Sequence, residues 1–112
     1  SGNAKIINTD FIEEPGKTKT SQLVRLGDAQ TLRALQPGQL VDLVVKNHWV
    51  AVTTLEKTYI GTLADNISFN LKQFIAGGNK FQAVIRTVSG NQVSVFLREI
   101  HREPKFANTP SF

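Results

Sequence analysis

The chain has 112 residues, 40% of them hydrophobic and 20% charged, which suits one domain with a single core and argues against wholesale disorder. Its 13 Lys and Arg residues outnumber its 9 Asp and Glu residues, giving a formal net charge of +4, and the absence of cysteine removes disulfides, thiolate metal sites and cysteine nucleophiles together. No apolar run approaches the roughly 18 residues of a membrane-spanning helix, and the first residues lack the apolar core of a secretory signal, so a cytoplasmic protein with no membrane partner is expected.

Residues 1–22 read as a flexible arm. Within it Lys5-Ile6-Ile7 and Phe11-Ile12 can add a short edge strand, and the polar, turn-rich stretch from Glu13 to Ser21 reads as a link. Gln22 to Leu26 is a possible short strand. Asp28 can cap a short helix from Ala29 to about Leu35, with Leu32 and Leu35 on one face and Pro37-Gly38 as its stop.

From Leu40 the pattern turns to strands. Leu40–Val45, His48–Thr53 and Thr58–Leu63, joined by a tight turn at Lys46-Asn47 and a loop at 55–57, form a meander. Asn66 to Ala76 is then helical. Ile67, Leu71, Phe74 and Ile75 make one apolar stripe, Asp65 or Asn66 can cap its start, Gly77-Gly78 stops it, and Asn70, Lys72 and Gln73 lie on the outer face. Lys80–Val88 and Gln92–Ile100 alternate with period two around a Ser89-Gly90-Asn91 hairpin loop. Val84 and Phe96 fall on the face away from the main core, so both faces of the hairpin are covered in part. Residues 101–112, with two prolines and no apolar period, read as an irregular tail.

The expected fold is therefore mainly β: a small barrel of about five strands over residues 23–100, with an amphipathic helix between its third and fourth strands. Val50-Ala51-Val52, Tyr59-Ile60-Gly61-Thr62-Leu63, the helix ending at Gly77-Gly78, and Phe81-Gln82-Ala83-Val84-Ile85 together resemble the second half of HIRAN domains, over roughly residues 49–88. The resemblance implies an SH3-like barrel. It also implies binding of single-stranded DNA ends, as in that family. The polar loop through which family members hold DNA is replaced here by Val45-Lys46-Asn47-His48-Trp49, so no family binding residue carries over position by position. The stretch Arg98-Glu99-Ile100-His101-Arg102-Glu103-Pro104 also resembles the last strand and Pro-containing tail of uncharacterised bacterial domains, a likeness that implies no activity.

The chemistry points to binding without catalysis. His48 and His101 stand far apart with no metal-ligand spacing around them, no serine sits in a nucleophile elbow, and Gly77-Gly78-Asn79-Lys80 ends a helix where a phosphate loop would begin one. No catalytic residue, metal or cofactor is expected. What remains is charge. Residues 1–65 carry seven basic and seven acidic side chains, whereas residues 66–112 carry six basic against two acidic, with no acid between Asp65 and Glu99. Lys46, Lys72, Lys80, Arg86, Arg98 and Arg102 are expected to contact phosphates on a basic sheet face. On the plain alternative they are a solvated surface. His48 and Trp49 are expected to stack on an unpaired base, with Trp49 as a barrel plug the competing reading. The expected partner is single- or double-stranded nucleic acid. The alternative is a protein partner or a second copy, held through Ile6, Ile7, Phe11 and Phe106 of the terminal arms.

Overall fold

The structure, a computed structural model, describes residues 4–7 and 10–112, so residues 1–3 and 8–9 of the predicted arm lie outside the description. In chain order the elements are β1 (Thr18–Gln22), α1 (Ala29–Arg33), β2 (Leu40–Val45), β3 (Val50–Thr53), β4 (Tyr59–Thr62), α2 (Asp65–Ala76), β5 (Lys80–Ser89) and β6 (Gln92–His101), closing on a 3₁₀ turn at Pro104–Phe106. The strands form one antiparallel sheet in the order β1-β6-β5-β2-β3-β4. It curls into a half-barrel. Just beyond β1, Val24 exchanges two backbone hydrogen bonds with Thr62 of β4, at 2.9 and 2.8 Å, and draws the two sheet edges together.

The meander, the terminal hairpin and the helix between β4 and β5 all lie where the sequence pattern puts them. The sheet has six strands, where about five were expected, and the extra one is β1, inside the predicted link. Thr18–Gln22 has no apolar alternation to mark it as a strand. It is made extended by pairing with β6, from Thr18 opposite Arg98 to Gln22 opposite Ser94. The possible strand at 22–26 reduces to the single bridge at Val24, because Arg25 takes a positive φ of 49° and breaks the extension. Likewise β3 begins at Val50, leaving His48 and Trp49 in the connecting loop.

The core fills the inside of the curl. Val50, Val52, Ile60, Leu63, Ile85, Val95 and Leu97 are fully buried there, and α2 lays Ile67 and Leu71 across it, with Ile75 packed beside them. Ser68 shares that face of α2. Its hydroxyl donates to the Leu63 carbonyl at 3.2 Å and accepts the Val50 N–H at 3.1 Å, which fixes the helix against β3 and satisfies both backbone groups. The N-cap of α2 is Ala64, without a side-chain cap, in place of the predicted Asp65 or Asn66. At the other end Gly78, at φ 107°, adopts the left-handed turn that stops the helix, while Gly77 is held to glycine by packing: a Cβ there would lie 2.5 Å from the Phe106 ring. The α1 helix is shorter than expected, but Asp28 caps it, accepting the Thr31 N–H at 2.7 Å; that bond holds the Asp28 carboxyl below its ordinary range.

The terminal hairpin departs from strict alternation at one point. Ile85 pairs with Val95 and Thr87 with Ser94, so Arg86 occupies a bulge. Beyond the bulge Val88 packs against the core. Val84 and Phe96 face away from the main core as expected and are both buried, and the N-terminal arm covers Phe96, with the Phe11 ring edge-on to it at 5.5 Å. Other arm residues follow the sheet: Leu40 donates to the Lys5 carbonyl, and Ile7 to that of Gly38, both at 2.8 Å. The tail is irregular but pinned, with Phe106 edge-on to Phe74 and Phe112 edge-on to Phe81. Phe11, Phe106 and Phe112 thus pack within their own chain, whereas Ile6 and Ile12 stay exposed. No helix among the described residues is long and apolar enough to cross a membrane.

Candidate functional site

The cationic residues singled out from the sequence fall into two groups. The first follows the terminal hairpin, with Arg86 and Arg98 over Phe96 on the outer face of β5 and β6 and Arg102 one residue beyond the end of β6. Arg86 donates to the Thr20 hydroxyl at 2.6 Å, lies 3.9 Å from the Glu13 carboxylate, and sits over the rings of Phe11 and Phe96. Arg98 pairs with Glu14, donates to the Ile12 carbonyl at 2.9 Å, and also lies over Phe96. Arg102 forms a two-pronged bond with Glu99, at 2.9 and 3.0 Å, and donates to the carbonyls of Phe106 and Thr109. All three arginines therefore have internal partners. Burial pushes the Glu99 carboxyl up, but hydrogen bonds from Arg102 and Ser111 and the charges of Arg102 and Lys17 outweigh it and hold the group below its ordinary range. Lys80 is exposed at the open end of the same hairpin, opposite His101 and so next in register to Arg102.

The second group gathers at the β2–β3 tip. Val45 and Val50 make the last strand pair, and the loop 46–49 closes with the Lys46 N–H donating to the Trp49 carbonyl at 2.7 Å. Strand alternation explains where Trp49 goes. Val50 and Val52 point into the core, so Trp49 points out, and it is 40% exposed instead of plugging the barrel. His48 is exposed and lies edge-on to it at 6.2 Å. Lys72, on α2, donates to the Asn47 carbonyl and brings its charge to the same loop.

Two further residues complete the tip, and neither was singled out from the sequence. The Arg25 guanidinium lies 4.3 Å from the Trp49 ring centroid and pairs with Asp65 in the first turn of α2. Its left-handed backbone, which costs a non-glycine residue about 1 kcal/mol, is held by the Tyr59 hydroxyl donating to its carbonyl. Tyr59 is itself 40% exposed. Val45, Lys46, His48, Trp49, Tyr59 and Thr62 line an open cleft of about 760 Å³, in which none of the three hairpin arginines takes part. Among the described residues no carboxylate lies within ion-pair distance of Lys46 or Lys72. No set of three or more His, Cys, Asp or Glu side chains is placed to hold a metal, again among the described residues. Chemically the tip offers two aromatic rings, one of them braced by a guanidinium, with two ammonium groups beside them.

The fold has a counterpart among solved structures. It is similar to the crystal structure of a protein from Lactobacillus plantarum determined by a structural genomics consortium, with a TM-score of 0.63 and 18% sequence identity over 73% of this chain and 92% of that one. At that identity the likeness concerns the fold alone. No protein-family model and no curated protein matches the sequence.

Arg25 and Tyr59 left little trace in the sequence. Tyr59 reads as an ordinary strand aromatic, and Arg25 acts only because the chain turns sharply between β1 and α1. The one available signal was the phase of β3, which puts Trp49 opposite the buried valines.

Proposed function

We infer that this chain is a HIRAN-like, non-catalytic binding module that takes single-stranded nucleic acid at the β2–β3 tip. The observation that carries this reading is the open cleft lined by Trp49, Tyr59 and Lys46, with Lys72 bonded to the Asn47 carbonyl at its edge, two cations that meet no carboxylate among the described residues. A duplex keeps its bases stacked on one another. An unpaired base offers a π-face to Trp49 or Tyr59, and the phosphates beside it meet the lysines. Arg25 braces one side of the Trp49 ring, so the ring is positioned before a ligand arrives, which reduces the ordering cost of binding. The hairpin arginines, first expected to contact phosphates, are satisfied within the chain and serve the fold in this reading. A non-catalytic role is supported by the carboxylates: Asp42, Asp65, Glu14 and Glu99 are each engaged with a Lys or Arg side chain.

Trp49 is the sole tryptophan, so its fluorescence reports on the cleft directly. Titration with oligothymidylate at low salt is expected to quench it. The logarithm of the association constant should fall with the logarithm of salt concentration at a slope of about −1.4, for two phosphates met by Lys46 and Lys72. Unchanged fluorescence, or affinity indifferent to salt, rules the reading out. A labelled oligonucleotide should also be recovered intact after incubation with the protein.

A further inference from the structure

The seven phenylalanines of the chain divide unequally. Six pair edge-to-face within the molecule, as Phe11 with Phe96, Phe74 with Phe106 and Phe81 with Phe112. The seventh, Phe69, takes part in none of these pairs and is 78% exposed, more than any other large apolar residue described. A single exposed apolar side chain is ordinary on a protein surface. The position of this one is not. Asp65, Phe69 and Lys72 follow one another at spacings of four and three on α2, so they share one helix face. Both neighbours reach the tip loop and its bracing arginine: Asp65 holds Arg25 against Trp49, and Lys72 bonds to the Asn47 carbonyl. Phe69 therefore stands between two links that join α2 to the cleft. The three exposed aromatic residues of the described chain, Trp49, Tyr59 and Phe69, all gather at this end of the molecule.

We propose that Phe69 is a second stacking platform, so that the site holds a single strand of several nucleotides that leaves the cleft and crosses the outer face of α2. The inference rests on the nucleic-acid reading of the cleft and extends it from one base to a path. Lys72 occupies the stretch between the two platforms, where a phosphate linking successive bases passes. Because Lys72 has no carboxylate partner among the described residues, the charge of that stretch favours a polyanion over a neutral peptide.

The test compares a thymidine dinucleotide with an octamer on the intact chain, followed by Trp49 fluorescence, for the wild type and for Phe69→Ala, Phe69→Leu and Phe69→Tyr. The wild type should bind the octamer more tightly than the dinucleotide. Phe69→Ala should weaken the octamer about tenfold and leave the dinucleotide unchanged. Phe69→Leu, which keeps apolar area but loses the π-face, should behave like the alanine variant, and Phe69→Tyr like the wild type. Equal octamer affinity across all variants overturns the proposal, as does a loss shared equally by both ligands. Wild-type octamer affinity in Phe69→Leu overturns it in favour of an apolar contact, such as a protein partner would make. In each of those cases the cleft itself still binds. Failure of the wild type to bind either oligonucleotide instead removes the underlying reading. At 78% exposure Phe69 adds little to folding, and unchanged thermal midpoints verify that the variants are compared in the same state.

Discussion

The terminal hairpin and the β2–β3 tip both concentrate positive charge, yet they differ in what that charge touches. On the hairpin, Arg86, Arg98 and Arg102 meet Glu13, Glu14 and Glu99, together with the backbone carbonyls of Ile12, Phe106 and Thr109. At the tip, Lys46 and Lys72 meet no carboxylate among the described residues, and Arg25 is paired with Asp65. The residue types follow the division. A planar guanidinium with five donors can satisfy several fixed acceptors at once, which suits it to tying segments together; an ammonium on a flexible stem keeps its charge in water. Basic composition therefore locates a binding surface only after the chain's own anions have been placed.

Four experiments press on that contrast. The largest effect belongs to Glu99→Ala, which should lower unfolding free energy by about 3 kcal/mol in urea titrations at neutral pH, because the largely buried Arg102 loses its partner. Oligonucleotide affinity should hold. The pH dependence follows from the same group. Its carboxyl titrates below the ordinary value of 4.5 in the folded chain, so the stabilisation is complete above that value and disappears as pH falls through the lower, folded one. Glu99→Gln should flatten that acid limb. If it does not, the link between hairpin and tail is weaker than its geometry indicates.

Trp49→Ala comes next, with an expected loss of about 2 kcal/mol in oligonucleotide binding and little change in unfolding, the mirror image of the Glu99 result. Its binding must be followed by a labelled ligand, since the intrinsic reporter is gone. Arg98→Ala should reduce stability by about 1.5 kcal/mol, through the lost bonds to Glu14 and Ile12, and leave binding where it was. A drop in affinity for this variant would return the hairpin face to the binding site. The smallest effects are those of Lys46→Ala and Lys72→Ala. Each should make the salt slope about 0.7 shallower, whereas Lys80→Ala, at the far end of the hairpin, should leave it alone.

Much of the fold was legible because its period signals are local. The stripe Ile67-Leu71-Phe74-Ile75 marks α2, and the alternation of 80–88 and 92–100 marks the terminal hairpin. β1 escaped because Thr18–Gln22 owes its conformation to a partner from the opposite end of the sequence. The same cause misled the charge reading. No acid lies between Asp65 and Glu99 along the chain, but pairing of Thr18 with Arg98 carries Glu14 alongside that arginine, and Glu13 to Arg86. Of the expected binding residues, Lys46, His48, Trp49 and Lys72 come together at the tip, three of them in one short loop and the fourth on the nearby helix. Arg25 and Tyr59 join them only through a turn in the backbone at Arg25 that no periodicity announces.

The position of β1 also bears on how the molecule reaches its folded form. The β5–β6 hairpin can close early, since its two strands are neighbours in sequence joined by a short loop. β1 must await β6, and the Val24–Thr62 bridge across the sheet must await both edges, so the curl shuts through contacts of great sequence separation. Such topologies assemble in milliseconds to seconds, well behind helical bundles of equal size. Until the arm also docks, the outward face of Phe96 lacks the Phe11 ring, and an exposed apolar face of this kind in a slowly closing sheet favours aggregation.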